Sequence, residues 1–432
     1  MPDYRKKRRN RIFSSPSRPK TATKAKSGGE DIKMTPDGGK RAVKPKAESN
    51  MKVVRGRKLE QKKKLTGFSA FAAVVLILVL VFQLILPAGI IQTVSNTVAV
   101  IGSGSYPIEL ESNDTLSVVP MGTYYYVLSD TGLCAYSNSG KELFKYSHGF
   151  ENPVLKTSKW GALLYGQGGT QVNIFTLKGL KKTVDTEKNV ICAAISNSGA
   201  YALVTESDTY ACTVSVYNKY DKNLYEWYSA EDVVNNVAIS PNTKKIAVST
   251  FSASGGEFNS KVSVLNFKSA TPEFSEEFSE TLVYDINTVA TSRFSVVTSN
   301  GSEFVKWNKY AKSEYKSDYN ISILRAASHG TVAVWRRESD PQDNKITVFS
   351  KTGKLKYEFE FKGIISDIRL FGGHIYCMSD TEIYLLGSDG TVLRTATCGF
   401  GGVALTVTGT NTVCVITDNK IEKIKLEEEA AK

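Results

Sequence analysis

A short apolar segment rich in β-branched residues returns eight times along the chain, and this repeat constrains the fold more than any other feature. Its copies resemble YYYVLSD or TVAVWRR and follow turn-forming residues. They begin at Tyr124, Gly161, Tyr201, Lys245, Arg293, Thr331, His374 and Thr412. The mean spacing is about 41 residues, the length of one four-stranded propeller blade. The sequence therefore predicts an all-β, eight-bladed β-propeller over residues 105–427, with seven blades as the alternative count.

The segments around each copy supply the other strands of a blade. An apolar strand such as VICAAI precedes the copy, and a third strand such as QVNIFTL follows it. Turns such as SNSGKE and SKTGKL then lead to a fourth strand, and their Gly140 and Gly353 can take the positive φ that the reversal needs. Because the last repeat has only three strands, we expect Tyr106–Ser112 to supply its outer strand and close the ring.

Residues 65–91 are predicted to form one transmembrane helix. No charged residue occurs between Leu65 and Ile108, and Phe68–Ile91 is almost entirely apolar. At about 1.5 Å per residue this stretch gives a helix of about 36 Å, which crosses a hydrocarbon core of about 30 Å. A cleaved signal peptide is the alternative, but the apolar stretch is too long for one. Residues 92–104 are predicted to be a link, and 428–432 a short C-terminal tail.

Residues 1–64 are predicted to be a disordered tail. They contain 22 Lys and Arg against six Asp and Glu and few aromatic residues, so they cannot bury enough apolar surface to fold. By the positive-inside rule, the tail is cytoplasmic and the propeller lies outside the cell membrane. The cluster Arg5–Arg11 has the charge to bind lipid or an acidic cytoplasmic partner, and nucleic acid is less favoured. The juxtamembrane residues expected to bind anionic lipid headgroups are Arg55, Arg57, Lys58, Lys62, Lys63 and Lys64.

The turn sequences resemble those of known propeller repeats. SPNTKKIAV at Ser240–Val248 is similar to the S-P-D-G-K-x-I-A motif of WD40-like and TolB-type repeats, with Asn242 and Thr243 in place of Asp and Gly. The S-x-x-G-K turn is similar to that of quinoprotein-like repeats. The plan of basic tail, single span and external propeller resembles a family of uncharacterised Gram-positive envelope proteins classed as a domain of unknown function. The resemblance implies the fold, because these turns shape blades and carry no chemistry.

The sequence shows no catalytic, cofactor or metal-binding motif. The three histidines, His148, His329 and His374, lack the spacing of metal ligands or of a nucleophilic triad. Gly166–Thr170 and Gly399–Gly402 lack the strand-to-helix context of a phosphate loop. We therefore predict no catalytic residue, cofactor or metal.

The six cysteines are predicted to be reduced. Five of them lie inside predicted strands among apolar residues, where a free Cys behaves as a small buried hydrophobic residue. Pairs within one blade are too far apart for a disulfide, whose Cα atoms lie within about 7 Å. A contact between Cys398 and Cys414 across neighbouring blades stays open.

One face of the predicted ring carries the longest loops and is the candidate binding surface. These loops, Ser252–Ser260 and Arg336–Asn344, join second to third strands. Aromatic and Arg side chains near them have the composition of a binding hot spot. The candidate residues are Phe251, Phe258, Trp335, Arg336 and Arg337. We predict a membrane-anchored binding or scaffold protein for envelope proteins or glycans. The alternatives are a hydrolase or lyase with a site at the propeller centre, or a sensor that signals through the tail.

Overall fold

The computed structural model of the chain describes residues 88–111, 114–254, 257–299, 301–327 and 329–428. The predicted tail and the predicted transmembrane segment up to residue 87 lie outside the described residues. Among the residues described, one helix occurs, α1 (Ala88–Ala99), which begins directly after Pro87. No helix within these ranges is long and apolar enough to cross a membrane.

The strands form eight antiparallel sheets, the blades. Strand β1 (Ile108–Glu109) comes first along the chain and belongs to the last blade. Blade 1 contains β2 (Thr115–Pro120), β3 (Tyr124–Ser129), β4 (Gly132–Ser137) and β5 (Glu142–Ser147). Blade 2 contains β6 (Pro153–Thr157), β7 (Ala162–Gly166), β8 (Gln171–Thr176) and β9 (Gly179–Asp185). Blade 3 contains β10 (Val190–Ile195), β11 (Tyr201–Thr205), β12 (Cys212–Tyr217) and β13 (Asn223–Ser229).

The middle blades contain the longest strands. Blade 4 contains β14 (Val233–Ile239), β15 (Lys245–Ser254), β16 (Glu257–Asn266) and β17 (Pro272–Phe278). Blade 5 contains β18 (Val283–Ala290), β19 (Arg293–Thr298), β20 (Gly301–Lys306) and β21 (Lys312–Lys316). Blade 6 contains β22 (Asn320–Ala327), β23 (Gly330–Arg337), β24 (Asp340–Phe349) and β25 (Leu355–Lys362).

The last two blades include the end of the described chain. Blade 7 contains β26 (Asp367–Phe371), β27 (His374–Met378), β28 (Glu382–Leu386) and β29 (Val392–Thr397). Blade 8 contains β30 (Ala404–Gly409), β31 (Thr412–Ile416) and β32 (Lys420–Lys425), followed along the chain by β33 (Glu427–Glu428). The eight blades confirm the predicted count, and the seven-blade alternative is wrong.

The two ends of the described chain close the ring. β1 pairs with β32, with Ile108 opposite Ile421, so the segment before blade 1 completes blade 8 as predicted. β33 then pairs with β29, and Glu428 forms an ion pair with Arg394. Blade 7 thereby gains a fifth strand. Pairing at both places covers strand edges that would otherwise be open.

The hydrophobic core lies between neighbouring blades. The second strands are apolar on both sides, and all six residues of β3 are buried. Val204 and Val214 of blade 3, for example, pack with Val237 and Ile246 of blade 4. Fully burying such a side chain stabilises the fold by about 1.5 to 3 kcal/mol. Each blade therefore depends on its neighbours, and the ring forms one continuous structure.

The ring has two faces that differ in their connections. Turns from the first to the second strand and from the third to the fourth strand of each blade form the helix-side face, because α1 packs there. Asn96 of α1 donates a hydrogen bond to the Lys159 carbonyl oxygen at 3.0 Å. Lys141 Nζ donates to the carbonyl oxygens of Ala99 at 3.0 Å and Ile101 at 2.8 Å. The remaining connections form the opposite face.

The segment predicted as a link is helical as far as Ala99. The sequence has no Gly or Pro between Ile90 and Ile101, so no residue that disfavours a helix strongly interrupts α1 before Ala99. Beyond the helix, Gly104 lies against the turn of blade 1, where a Cβ atom would come within 2.1 Å of the Gly140 carbonyl carbon. The link is therefore docked on the ring, and only a glycine fits at its closest approach.

Candidate functional site

The helix-side face is strongly basic. In blades 1 to 7, Lys and Arg dominate its turns and the strand residues that flank them. The basic residues are Lys141, Lys159, Lys178, Lys219, Lys222, Lys244, Lys245, Lys268, Arg293, Lys306, Lys309, Lys312, Lys351 and Lys354. The acidic residues at the same positions are Glu142, Asp221 and Asp389. The positive charges on this face therefore far outnumber the negative ones.

Some of these lysines are paired, and others crowd one another. Lys245 forms an ion pair with Glu273, and Lys312 forms one with Glu303 at 2.7 Å. In contrast, burial and the neighbouring Lys219 lower the pKa of Lys181, whose Nζ lies 4.5 Å from the Trp160 ring centroid. Like-charge repulsion of this kind marks a surface whose positive charge is not fully neutralised by the protein itself.

The opposite face is acidic. Its loops and the strand residues that flank them contain few basic residues among those described. These are Lys188, Lys316, Arg337, Lys362 and Lys420. The acidic residues there are Glu109, Glu111, Asp114, Asp130, Glu151, Asp185, Glu187, Glu206, Asp208, Glu231, Asp232, Glu280, Asp318, Glu338, Asp340, Asp367, Asp380, Glu382 and Asp418. The ring is therefore a dipolar disc with a basic and an acidic face.

Exposed aromatic side chains lie on the opposite face of blades 3 to 5. The rings of Tyr210 and Tyr228 stand 4.9 Å apart, centroid to centroid, and are 43% and 46% exposed. Phe258 is 59% exposed and Tyr284 54%. Asn236 of the inner strand of blade 4 donates a hydrogen bond to the Tyr284 carbonyl oxygen at 3.0 Å, which fixes that segment. Sequence analysis identified only Phe258. Tyr210 could have been found from its place in a loop, whereas Tyr228 and Tyr284 lie at the ends of strands.

Trp335 is the one predicted binding residue that the structure removes from the surface. Its side chain is 0% exposed, and its Nε1 donates a hydrogen bond to Thr347 Oγ1 at 2.8 Å. Trp335 lies in β23, as the repeat predicted, and its ring packs in the core between blades 5 and 6 with Phe304 and Phe349. Phe251 lies at the loop end of the same hairpin as Phe258 and is half-buried.

The two predicted arginines lie on blade 6 and are held by neighbouring groups. Arg336 Nη2 donates to the Ile365 carbonyl oxygen at 3.0 Å. The exposed Arg337 donates to Asp343 Oδ2 at 2.7 Å and to the Tyr319 hydroxyl at 2.9 Å. Blade 5 separates these arginines from Phe251 and Phe258. The predicted set is therefore two patches, and its binding role stays a prediction.

A polar cavity of about 300 Å³ opens between the inner strands of blades 1 to 5. Lys156 Nζ lies 3.9 Å from Asp285 Oδ1, and Asn287 donates to the other oxygen of Asp285 at 2.6 Å. Ser158 and Ser196, at the helix-side ends of their strands, also line it. The volume suits a small polar molecule. The Ser158 hydroxyl donates to the Gly161 carbonyl oxygen and the Ser196 hydroxyl contacts Ser198 Oγ at 2.8 Å, so both are already bonded within their turns.

The inner strands of blades 6 to 8 are tied by a buried ion network. The Asp367 side chain is 1% exposed and accepts hydrogen bonds from the Leu405 amide at 3.0 Å and from Arg325 Nε at 3.2 Å. Arg369 Nη2 lies 2.7 Å from Asp367 Oδ2, the oxygen that also accepts from the Leu405 amide, and Arg369 Nε donates to the Leu405 carbonyl oxygen at 2.8 Å. Asp367 therefore joins three blades, which is a structural role.

The described residues offer no evident catalytic chemistry. Among them no group of three or more His, Cys, Asp or Glu side chains is placed to hold a metal ion. All six cysteines are free, as predicted, so Cys398 and Cys414 do not form a disulfide. Burial raises the pKa of Cys192 to about 12, which keeps it a thiol at neutral pH. Burial also lowers the pKa of His148, whose Nε2 contacts the Ser129 carbonyl oxygen at 3.2 Å.

Comparison with known families identifies the ring. A family model described as a family of unknown function (DUF5711) matches residues 103–426. The chain belongs to this family. The DUF5711 match begins just before β1 and ends just after β32, so the family domain coincides with the closed ring. The predicted resemblance to a domain of unknown function is confirmed.

Two solved structures are similar to this chain at low identity. BamB from Moraxella catarrhalis is 12% identical with a TM-score of 0.47, and the match covers 75% of this chain and 99% of that one. Hydrazine synthase from Kuenenia stuttgartiensis is 10% identical with a TM-score of 0.42, covering 76% and 99%. No curated protein sequence matches the chain. Likenesses this distant do not bear on what the chain binds.

Proposed function

We propose that this protein is a single-pass membrane protein with a cytoplasmic tail, whose DUF5711 propeller lies outside the cell membrane and acts as a binding scaffold for envelope proteins or glycans. The observation that supports this most is the position of α1. It leads from the predicted span at residues 65–91 onto the helix-side face, through Asn96 and Lys141. The opposite face, with the longest hairpins, is left uncovered by it.

The chemistry of the opposite face favours a cationic partner segment. Its loops are rich in carboxylates, and the exposed rings of Tyr210, Tyr228, Phe258 and Tyr284 lie among them on blades 3 to 5. Aromatic rings bind apolar, cationic or sugar groups by stacking, and carboxylates select positive charge. We therefore place the binding site on this face at blades 3 to 5, next to the predicted Phe251.

Cross-linking in intact cells tests the binding site. The variant Tyr210→Ser/Tyr228→Ser/Phe258→Ser removes the opposite-face aromatics, while Tyr220→Ser/Tyr310→Ser removes exposed tyrosines from helix-side turns. An impermeant cross-linker followed by purification of the full chain measures the captured partner. We expect the triple variant to lose roughly tenfold or more of it and the control to lose little. Equal capture by all three proteins would contradict the proposal.

Thiol labelling in intact cells tests the topology. A cysteine introduced into the tail as Ser27→Cys is expected to resist an impermeant maleimide, whereas one on the opposite face as Ala230→Cys is expected to react. Five of the six native cysteines are buried, so their background reaction is low. Labelling of the tail cysteine before lysis would show the opposite orientation.

A further inference from the structure

We propose that the helix-side face of the DUF5711 ring lies flat on an anionic lipid surface, with its lysine-bearing turns against the headgroups. This inference rests on the membrane anchor of the proposed function and goes beyond it. It gives the ring a fixed orientation, and it assigns a lipid ligand to residues of the folded domain rather than of the tail.

The first argument is the separation of charge between the faces. After residue 64 the chain has a slight acidic excess, so the basic face is not a consequence of overall composition. The lysines lie in turns of six successive blades, which places them around most of one face. An anionic surface attracts this face and repels the carboxylates of the other. The attraction and the repulsion both favour the orientation in which the helix-side face lies against the lipid.

The second argument is the route of the chain. α1 has 12 residues, about 18 Å of helix, and its last turn and the residues after it are bonded to Lys141 and Ser139 of blade 1. α1 begins at Ala88, within the last residues of the predicted span at 65–91, and its other end is bonded to the basic face, so the chain reaches the ring there. A short helix bonded to this face keeps it close to the bilayer.

The third argument is that the acidic residues of the helix-side face do little to neutralise it. Asp221 is already bonded to Lys182 and to the Tyr201 hydroxyl. Asp389 accepts hydrogen bonds from the amide and hydroxyl of Thr391 within its own turn. By contrast, Lys178, Lys268, Lys309 and Lys351 are exposed on turns of blades 2, 4, 5 and 6.

Lysine footprinting of the full chain tests the proposal. The chain is reconstituted in lipid nanodiscs of phosphatidylcholine alone or with about one third phosphatidylglycerol, and each lysine's acetylation rate is read by mass spectrometry. We expect Lys219, Lys351 and Lys354 to react roughly fivefold more slowly on the anionic discs. Lys188, Lys316 and Lys362 of the opposite face are expected to react equally on both. Raising the salt to 1 M, where the Debye length is about 3 Å, is expected to remove the protection.

Two matched variants separate the face from the overall charge. Lys178→Glu/Lys268→Glu/Lys309→Glu reverses three helix-side charges, and Lys188→Glu/Lys316→Glu/Lys362→Glu makes the same change on the opposite face. All six side chains lie outside the core, so both variants are expected to fold. The first is expected to lose the protection of Lys219, Lys351 and Lys354, and the second to keep it.

Three outcomes would overturn the proposal. One is equal labelling of helix-side lysines on the two kinds of disc, and another is protection of the opposite-face lysines. The third is protection by soluble polyphosphate but not by lipid, which would make the ligand a soluble polyanion. Carbonate extraction of membranes separates this from the proposed function: a chain released by carbonate lacks the anchor, whatever the labelling pattern shows.

Discussion

The two faces of the ring hold their blades together in different ways. On the helix-side face, turn glycines pack against an aromatic ring of the preceding blade. A Cβ atom at Gly353 would lie 2.3 Å from Phe304, and one at Gly390 would lie 2.7 Å from Phe359. On the opposite face, a Cβ atom at Gly401 would meet no atom within 4 Å. Packing against the preceding blade therefore fixes the Gly353 and Gly390 turns, although a Cβ atom at Gly372 of the same face would meet no atom within 4 Å. The loop at Gly401 is free of such packing.

This difference explains where variation is possible. A turn whose glycine packs against the preceding blade cannot easily change length, so a new function there depends on its exposed side chains, such as Lys351. A loop without such packing can lengthen, and the ten-residue arms of β15 and β16 show this on blade 4. The helix-side face is thus suited to attachment and the opposite face to recognition.

The largest expected effect on stability is that of Asp367→Ala, which tests how blades 6 to 8 are joined. Asp367→Ala removes the partner of the buried Arg369 and the acceptor of the Leu405 amide. We expect a loss of about 3 to 5 kcal/mol in the free energy of unfolding. Asp285→Ala is the control, because Asp285 is 40% exposed and its pair with Lys156 is long, so the loss there is below about 1 kcal/mol. Chemical denaturation measures both, and similar losses would contradict the distinction.

Glycine substitutions compare the faces directly. Gly353 and Gly401 both have positive φ, 75° and 83°, but only Gly353 contacts another blade. We expect Gly353→Ala to destabilise by about 3 kcal/mol, from backbone strain plus overlap with Phe304, and Gly401→Ala by about 1 kcal/mol from strain alone. Thermal unfolding measures the difference. If both variants unfold at the same temperature, the helix-side packing is not what restrains the turn.

Lys141 tests the attachment of α1. Lys141→Met removes two hydrogen bonds from a charged donor to the carbonyl oxygens of Ala99 and Ile101. We expect the local opening free energy to fall by about 2 kcal/mol, which is roughly 30-fold faster amide exchange at residues 96–104. Lys178→Met, in the equivalent turn of blade 2, is the control and leaves exchange there unchanged. Unchanged exchange in the Lys141 variant would mean that other contacts hold the helix.

The pH dependence of stability tests whether the charge of Lys312 is neutralised by its ion pairs with Glu276 and Glu303. Burial and the neighbouring Glu276 raise the pKa of Glu303 to about 7, against the attraction of Lys312. The folded chain therefore keeps a proton that the unfolded chain, with a Glu pKa of 4.5, has lost. The proton on Glu303 therefore stabilises the folded state. Its contribution to the free energy of unfolding is complete below the pKa of the unfolded chain and is lost as the pH rises through 7.

We expect the free energy of unfolding to fall by about 1 kcal/mol between pH 5 and pH 8, on account of Glu303. Glu303→Gln is expected to flatten this slope. Glu314→Gln is the control, because Lys316 lowers the pKa of Glu314 and its removal leaves the slope in place. Denaturation at several pH values measures the slopes, and a slope that survives in Glu303→Gln would place its origin elsewhere.

The fold was predictable because its signals are local. Turn glycines such as Gly140 and Gly353 and the apolar second strands fix each blade, and the missing strand of the last repeat implied the closure by β1. The burial of Trp335 was missed because its ring packs against Phe304 of the neighbouring blade, a contact between blades that no local pattern reports. The charge of the faces was missed because no single turn reports it: it is the sum over turns of six blades that lie far apart in the sequence.

The closing strand pair has a consequence for how the protein is made. β1 lies at the start of the ring, but its partner β32 is made only after the strands of blades 1 to 7. Until Lys420–Lys425 emerges, blade 8 is incomplete and the newly made chain presents unpaired strand edges. A ring that lacks Lys420–Lys425 therefore keeps open strand edges, which exposes it to proteases before it can accumulate.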